Sequence, residues 1–329
     1  MTASGQEYTD HIHKIIQPVC PQFDQLIKSH ARFHFLFLLA IAIEVILLLI
    51  FFTFLAKSSL LAFGLALLFL TGFGYLSGRS YMATTKPEQL LHIKNQFIES
   101  FKSLTDYREG VPEHHMALAS ACCRLSENLS GKELNYYRPP TWLEILAPSL
   151  EKLSFWWNWT DVHHMRELLL LESLEEHLKL VRCEPTSLEI HAALANAYVL
   201  LSGLYITTKK RLSENQWSTG DMINRLEEKF RAAAERAIEE FKILSDYAPN
   251  DPWVHLQLAY SYQDLKMPQE EIREYETILK INPDDKDVLF KLGSLYFQQG
   301  MNAKGLKVYE ELRITHTKKA ENLINLYGA

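Results

Sequence analysis

Histidine pairs are the residues of this sequence whose type and spacing could do chemistry. Adjacent histidines occur at 114–115 and 163–164, and His30 and His34 would share one face of a helix. Two imidazoles on one helical face can hold a metal ion, but no acid or cysteine accompanies them at ligand spacing, and HExxH is absent. Adjacent histidines on a helix project about 100° apart and do not easily share an ion. We therefore predict that the chain has no metal site.

No other arrangement indicates catalysis. The sequence lacks a P-loop, a glycine-rich nucleotide fingerprint and a GxSxG motif, so we predict no catalytic residues, no cofactor and no enzymatic activity. The net charge of −6 is spread along the chain without a basic tract, which argues against nucleic-acid binding. The four cysteines lack CxxC or zinc spacing and are predicted to be reduced thiols.

Two apolar segments near the start predict a membrane hairpin. Residues 33–56 contain one acid and one histidine, and residues 60–78 form a second apolar run after a short polar break at Lys57, Ser58 and Ser59. Each run approaches the roughly 20 residues needed to cross a bilayer as a helix. A secretory signal is disfavoured because 32 mostly polar residues precede the first run.

Basic residues flank the hairpin on both sides, whereas its turn carries only Lys57. The positive-inside rule then places both termini in the cytoplasm, in agreement with the reduced thiols. The flanking basic residues are Lys14, Lys28, Arg32, Arg79, Lys86 and Lys94.

Polar and small residues inside the hairpin indicate contacts between helices. Glu44 lies near the middle of the first span, where a carboxylate must be protonated or hydrogen-bonded, or make a functional contact. Gly74 and Gly78 form a GxxxG pattern that lets backbones approach closely. That approach could occur within one hairpin or between two copies, so a homo-oligomer through the hairpin is possible.

Beyond residue 83 the pattern changes to amphipathic helices, and the sequence repeats itself at a 34-residue shift. "PWVHLQLAYSYQDL" begins at Pro252 and "KDVLFKLGSLYFQQG" at Lys286. Large, small and aromatic residues recur in register, and this pattern resembles the tetratricopeptide repeat (TPR), a helix–turn–helix unit. The resemblance implies stacked antiparallel helix pairs. The superposed residues are Leu258 with Leu292, Ala259 with Gly293, Tyr262 with Tyr296, Ile272 with Leu306, Tyr275 with Tyr309 and Ile278 with Leu312.

The resemblance extends upstream with interruptions. A further pair occupies 188–249 with an insertion at 207–221, and residues 101–122 match 241–262 without gaps. We therefore predict an all-α protein: a transmembrane helical hairpin followed by a TPR-like α-solenoid with insertions. The predicted domains are an N-terminal cytosolic segment at 1–32, the hairpin at 33–78, and the repeat domain at 83–329, in which 188–249, 252–285 and 286–319 are the clearest repeats.

The resemblance also implies a binding surface, because TPR solenoids bind protein segments along the face made by their first helices. Here that face is apolar and aromatic, which suits a peptide or an amphipathic helix of a partner protein. Positions at which some family members hold a terminal carboxylate with lysines are Ala192, Leu256 and Phe290 here, which argues against that mode. The candidate partner-binding residues are Asn196, Trp253, Leu256, Tyr260, Phe290 and Phe297.

The stretch "SFWWNWTD" at 154–161 concentrates three of the six tryptophans, Trp156, Trp157 and Trp159. Tryptophan favours the boundary between membrane and water, but acids rather than lysines line the polar side of this segment. The stretch is therefore a piece of local core, a membrane-surface contact, or a docking site.

These predictions describe a membrane-anchored scaffold that recruits or assembles proteins at a membrane, with lipid contacted through the hairpin. The two-lobed hairpin also resembles the inclusion membrane proteins of chlamydiae, which implies a host-protein partner. An assembly factor or chaperone for a bacterial membrane complex is the competing interpretation.

Overall fold

The computed structural model describes residues 3–55, 60–137, 144–145, 147–214 and 219–327, with side chains from Val19 to Phe51 and from Leu61 onward. Within these ranges the regular structure is α-helix with short 3-10 turns, one of them at Lys132–Leu134, and there is no strand. The predicted all-α fold is confirmed. The predicted hairpin turn at Lys57–Ser59 lies outside the described residues.

The chain divides into two compact units, Met1–Ser173 and Leu174–Ala329. Sequence analysis placed the start of the repeat domain near residue 83, whereas the structure groups the hairpin with everything up to Ser173. The reason is that both hairpin helices continue past their apolar segments into the core of the first unit.

Helices α1 (Ala3–Leu55) and α2 (Leu60–Leu104) are far longer than a membrane span requires. Their polar halves carry apolar residues that face inward: Phe23 and Ile27 on α1, and Leu90 and Phe97 on α2, are at most 2% exposed. These side chains belong to one core cluster with residues of the next two helices. The part of the predicted N-terminal segment from Val19 onward therefore packs into the core of the first unit.

Glycines set the close packing of α1 on α2. A Cβ added at Gly78 would lie 2.6 Å from Cζ of Phe33, and one at Gly64 would lie 3.1 Å from Cδ2 of Leu48. A Cβ at Gly74 would only reach ordinary contact with Phe37, at 3.9 Å. Of the two glycines in the GxxxG pattern, Gly78 is therefore the one that the packing of α1 on α2 requires.

The first unit is completed by α3 (Pro112–Asn128) and the first part of α4 (Ala147–Cys183). The sequence match between 101–122 and 241–262 has a structural counterpart. Phe101 and Phe241 are both fully buried near a helix end, and each is followed by a helix that begins at a proline. The match therefore reflects the same helix–turn–helix arrangement in both units.

Within its described residues, the second unit continues with seven helices, each of which packs on its neighbour in sequence. The first pair, α5 and α6, contains the predicted insertion, most of which is helical: residues 207–214 extend α5, and α6 begins at Gly220. Residues 215–218 lie outside the described residues. The helices are α5 (Leu188–Glu214), α6 (Gly220–Tyr247), α7 (Pro252–Asp264), α8 (Pro268–Ile281), α9 (Lys286–Gln298), α10 (Asn302–Thr315) and α11 (Thr317–Ile324).

The last two pairs follow the predicted 34-residue register. Ala259 is fully buried in α7, and a Cβ at the equivalent Gly293 in α9 would lie 2.7 Å from Cγ1 of Val308. Small residues are needed here because the paired helices approach closely. Helix α11 covers the end of the repeats with Ala320 and Leu323, which are at most 1% exposed.

Candidate functional site

The predicted partner-binding surface lies mainly on α7. Trp253, Leu256 and Tyr260 follow at spacings of three and four residues and therefore share one helical face. The side chain of Trp253 is 41% exposed, whereas Leu256 and Tyr260 are half-buried. The three side chains are only partly buried and therefore leave apolar and aromatic surface exposed.

Contacts behind the row hold it in place. The indole of Trp253 meets the ring of Phe241 edge-on, with centroids 6.0 Å apart. Leu256 and the half-buried Phe290 of α9 pack against the same core cluster of the last two pairs. The structure therefore brings Leu256 and Tyr260 of α7 and Phe290 of α9 together on two helices that share this core.

Lys291 joins α9 to α7 at this surface. Its Nζ donates a hydrogen bond to the hydroxyl of Tyr260 at 2.7 Å and lies 4.5 Å from the centroid of the same ring. A cation over an aromatic face is an attractive arrangement. Lys291 was not among the predicted residues, because it stands one position after the surface residue Phe290. Its long side chain nevertheless reaches Tyr260 on α7.

Two of the predicted residues lie outside the row on α7. Asn196 is exposed on α5, and its role in binding stays a prediction. Phe297 is only 6% exposed, because its ring packs over Gly305 of α10 and meets Tyr327 edge-on at 5.4 Å. Phe297 is therefore a core residue and is removed from the binding surface.

Glu271 on α8 is an acid in the core of the same repeats. It occupies the small position of the repeat pattern and is 4% exposed. Burial raises its pKa to about 7, nearby Asp264 adds to the increase, and Lys291 opposes it. This carboxyl group therefore changes charge near neutral pH.

The tryptophan stretch lies in the N-terminal part of α4. The indole of Trp157 stacks on the imidazole of His34, with centroids 5.4 Å apart and planes 5° apart, and also meets Tyr137 at 5.7 Å. Trp156 is 45% exposed, while Trp159 is half-buried beside His163 at 6.1 Å. The stretch is thus partly local core, and one indole remains on the surface beside the start of the apolar hairpin.

Glu44 has a partner within the hairpin. Thr71 Oγ1 on α2 donates a hydrogen bond to Oε1 of Glu44 at 2.8 Å. The second carboxyl oxygen is buried and has no hydrogen-bond partner among the described residues. A hydrogen bond to a neighbour was one of the predicted alternatives for this residue.

Two histidines, His191 and His255, make equivalent contacts in two helix pairs. His191 and His255 each lie near the start of a first helix, and each places one ring nitrogen near a carboxylate and the other near a proline carbonyl. Burial lowers the pKa of His191, but the hydrogen bonds to Glu240 and to the Pro185 carbonyl raise it more, so that its net pKa is raised. Within the described residues, no group of three or more potential metal ligands is present.

In the part of the chain that the structure describes, three helical segments are long and apolar enough to cross a membrane. The most apolar window of Val19–Phe51 has a mean hydropathy of 2.8, and 6% of that window is buried. The most apolar window of Leu61–Leu104 has a mean hydropathy of 1.7, and 0% of it is buried. Leu188–Glu214 reaches 1.4, but half of its window is buried in the protein. The first two segments are those of the hairpin.

Comparison with known proteins supports the repeat assignment locally. The Tetratricopeptide repeat family model matches residues 287–316, which cover α9 and α10. A comparison with curated proteins found no match, and nothing supports the likeness to inclusion membrane proteins.

Among solved structures, the chain is similar to two monomeric mutants of IFIT1, one with m7Gppp-AAAA and one with Gppp-AAAA. The first shares 16% identity and a TM-score of 0.36 over 81% of this chain and 71% of that chain. The second shares 15% identity and a TM-score of 0.36 over 80% and 70%. The repeat match and the helical architecture support a binding scaffold.

Proposed function

We propose that this chain is a membrane-anchored scaffold that binds an apolar or amphipathic segment of a partner protein and acts by binding rather than by catalysis. The partner-binding surface is formed by Trp253, Leu256 and Tyr260 of α7 with Phe290 and Lys291 of α9. The anchor is the hairpin of α1 and α2, with both termini and the repeats in the cytoplasm.

The observation that carries the proposal is the row on α7. An indole that is 41% exposed, followed on the same face by a half-buried leucine and tyrosine, is apolar surface held in a fixed position. Aromatic residues with firm support from behind contribute strongly to protein interfaces. Lys291, fixed over Tyr260, adds donors for a carbonyl or carboxylate of the partner segment.

The exposure of the hairpin supports the anchor. The window with a mean hydropathy of 2.8 is almost entirely uncovered by the rest of the protein, and Leu49 and Phe69 are 71% and 76% exposed. Helices that are apolar on the outside require lipid to cover them. The third segment, Leu188–Glu214, packs on α6 and is assigned to the repeats.

Site-directed photo-crosslinking of the full chain in its native membrane tests this function. A photoreactive residue at Leu256 is expected to capture one discrete partner, whereas the same residue at the exposed Arg273 of α8 is not. The double variant Trp253→Ala/Tyr260→Ala should lose the capture. Tyr247→Ala, which removes an aromatic ring that is 66% exposed on α6, should retain it.

Circular dichroism first establishes that the variants keep their helices. Capture that is equal at both positions, or that survives the double variant, would exclude the α7 surface. The partner's identity then separates the finer interpretations. A host-cell protein would indicate an effector of the inclusion-membrane type, and a subunit of a membrane complex would indicate an assembly factor.

A further inference from the structure

We propose that a cleft at the basic end of the hairpin binds the headgroup of an anionic glycerophospholipid. The cleft, of about 670 Å³, lies within the first unit, beside α1 and the segment that follows the 3-10 turn. This inference rests on the membrane anchoring proposed above. The residues that line the cleft include Asp24, Lys28, Arg32, Phe35, Tyr136 and Tyr137.

The cleft lies at the depth of a lipid headgroup. Phe35, which lines one end of it, is 60% exposed and begins the lipid-facing row of α1. Lys28 precedes Phe35 by seven residues, or about 10 Å along a helix. The cleft therefore extends from the apolar surface of the hairpin through a layer as thick as the polar headgroup region.

The charges in the cleft favour an anion. Asp24 is already neutralised, because Lys132 Nζ donates to its carboxylate at 2.9 Å and Tyr136 donates its hydroxyl at 3.0 Å. Lys28 and Arg32 are exposed, and no carboxylate among the described residues forms an ion pair with either. The cleft therefore presents two uncompensated positive charges.

Arg32 is arranged to receive a phosphate. Its Nε donates to the backbone oxygen of Lys28 at 3.3 Å, which leaves the terminal guanidinium nitrogens available. A guanidinium donates two parallel hydrogen bonds to a phosphate, and Lys28, one helical turn earlier, can add a third contact.

Tyr137 supplies an independent indication of a ligand. Its hydroxyl is buried and has no hydrogen-bond partner within the described part of the chain, although the ring is fixed against Trp157. A buried hydroxyl without a partner is costly, and a ligand oxygen in the cleft would satisfy it. Burial raises the pKa of Tyr137 to about 12, so the hydroxyl remains a donor at neutral pH.

A lipid fits this cleft better than a soluble anion, because Phe35 continues the cleft into the apolar surface. The headgroup phosphate would meet Arg32 and Lys28, while an acyl chain would lie along Phe35 and the exposed residues that follow it. Anionic lipids are also enriched in the cytoplasmic leaflet, on the side to which this end of the hairpin is assigned.

Native mass spectrometry of the full chain in a neutral detergent tests the cleft. Phosphatidylglycerol is expected to bind about tenfold more tightly than phosphatidylcholine, a difference of about 1.4 kcal/mol. Arg32→Gln should weaken phosphatidylglycerol binding by about tenfold, and Tyr137→Phe by about threefold. Arg79→Gln is the matched control: it removes the same charge at the same end of the hairpin but outside the cleft.

Equal binding of the two lipids, or equal losses from Arg32→Gln and Arg79→Gln, would overturn the proposal. Displacement by glycerol 3-phosphate at the affinity of the lipid would assign the cleft to a free phosphate compound and would also overturn it. Anchoring is tested separately by flotation with phosphatidylcholine vesicles after a carbonate wash. A failure to float refutes the anchor, whereas the titration in detergent reports on the cleft alone.

Discussion

His191 places its Nδ1 atom 2.6 Å from Oε2 of Glu240, so that a histidine of α5 is fastened to α6. Its Nε2 lies 3.0 Å from the carbonyl oxygen of Pro185, just before α5 begins. His255 repeats both contacts with Glu274 and the carbonyl of Pro249, at 2.6 and 2.9 Å. Each imidazole ring thus ties the turn before a first helix to the second helix of the same pair.

The first prediction concerns the pH dependence of this contact. Burial lowers the pKa of His191, but the hydrogen bonds to Glu240 and Pro185 raise it more, and the net pKa is raised. A raised folded-state pKa gives stability that is complete below the unfolded value of about 6.5 and is lost as the pH rises through the folded value. We expect His191→Gln to destabilise α5 by about 2 kcal/mol at pH 6 and by clearly less at pH 8.5.

Amide hydrogen exchange of the α5 backbone at the two pH values measures this difference. The exposed His92 serves as the control, and His92→Gln should leave exchange in α5 unchanged. A His191 variant whose effect is the same at both pH values would show that the ring contributes packing rather than charge.

Glu271 is predicted to weaken the fold in the same pH direction as His191, although its substitution should stabilise the protein where the substitution of His191 destabilises it. Because burial raises its pKa to about 7, above the unfolded value of about 4.3, the group takes up a proton on folding and its ionisation destabilises the fold as the pH rises. Glu271→Gln, which mimics the neutral acid, should therefore stabilise α8 at pH 8.5 by about 2 kcal/mol and change little at pH 5. Hydrogen exchange of α8 across this range provides the measurement, and stabilisation that is independent of pH would contradict the prediction.

Gly78 is predicted to be essential for packing of the hairpin. An added methyl group would lie 2.6 Å from Phe33, whose ring is already packed on Phe37 with centroids 4.7 Å apart. Gly78→Ala should therefore lower the stability of the hairpin in detergent by about 1 kcal/mol. Gly72 has nothing within 4 Å of the equivalent methyl position, so Gly72→Ala is the matched control and should have no effect.

Thermal unfolding of the two glycine variants measures the difference, and size-exclusion chromatography measures their oligomeric state. A dissociated oligomer with an unchanged hairpin in Gly78→Ala would instead place this glycine between copies.

Cys183 reports on the orientation of the chain. Its side chain is exposed at the end of α4, whereas Cys122 is fully buried. If the repeats are cytoplasmic, a membrane-impermeant maleimide should label Cys183 in inverted vesicles and not in intact cells. Cys122 should be labelled only after denaturation, and labelling of Cys183 in intact cells would reverse the assignment.

The sequence allowed the regular part of the fold to be predicted because its apolar patterns are unambiguous. The 34-residue shift predicts α7 to α10, and the two apolar runs predict the exposed apolar parts of α1 and α2. The row Val19, Phe23 and Ile27 was available as a helical pattern before the first run, but the strong apolar signal that follows concealed it.

Tertiary contacts decided what the sequence left open. Phe297 follows the aromatic pattern of the binding face, but the lack of a side chain at Gly305 draws its ring into the core. Lys291 became a candidate because it contacts Tyr260. Tyr137 became one because its buried hydroxyl has no hydrogen-bond partner among the described residues. No spacing rule along the chain predicts such contacts.

The continuity of α1 and α2 has a consequence for the biogenesis of this protein. The hairpin helices emerge from the ribosome first, yet Phe23 and Phe97 are buried partly by Leu125 of α3 and Met165 of α4, which are synthesised later. The inward-facing sides of α1 and α2 therefore keep an uncovered apolar surface until translation has reached α4. The core of the first unit can close only late in its own synthesis.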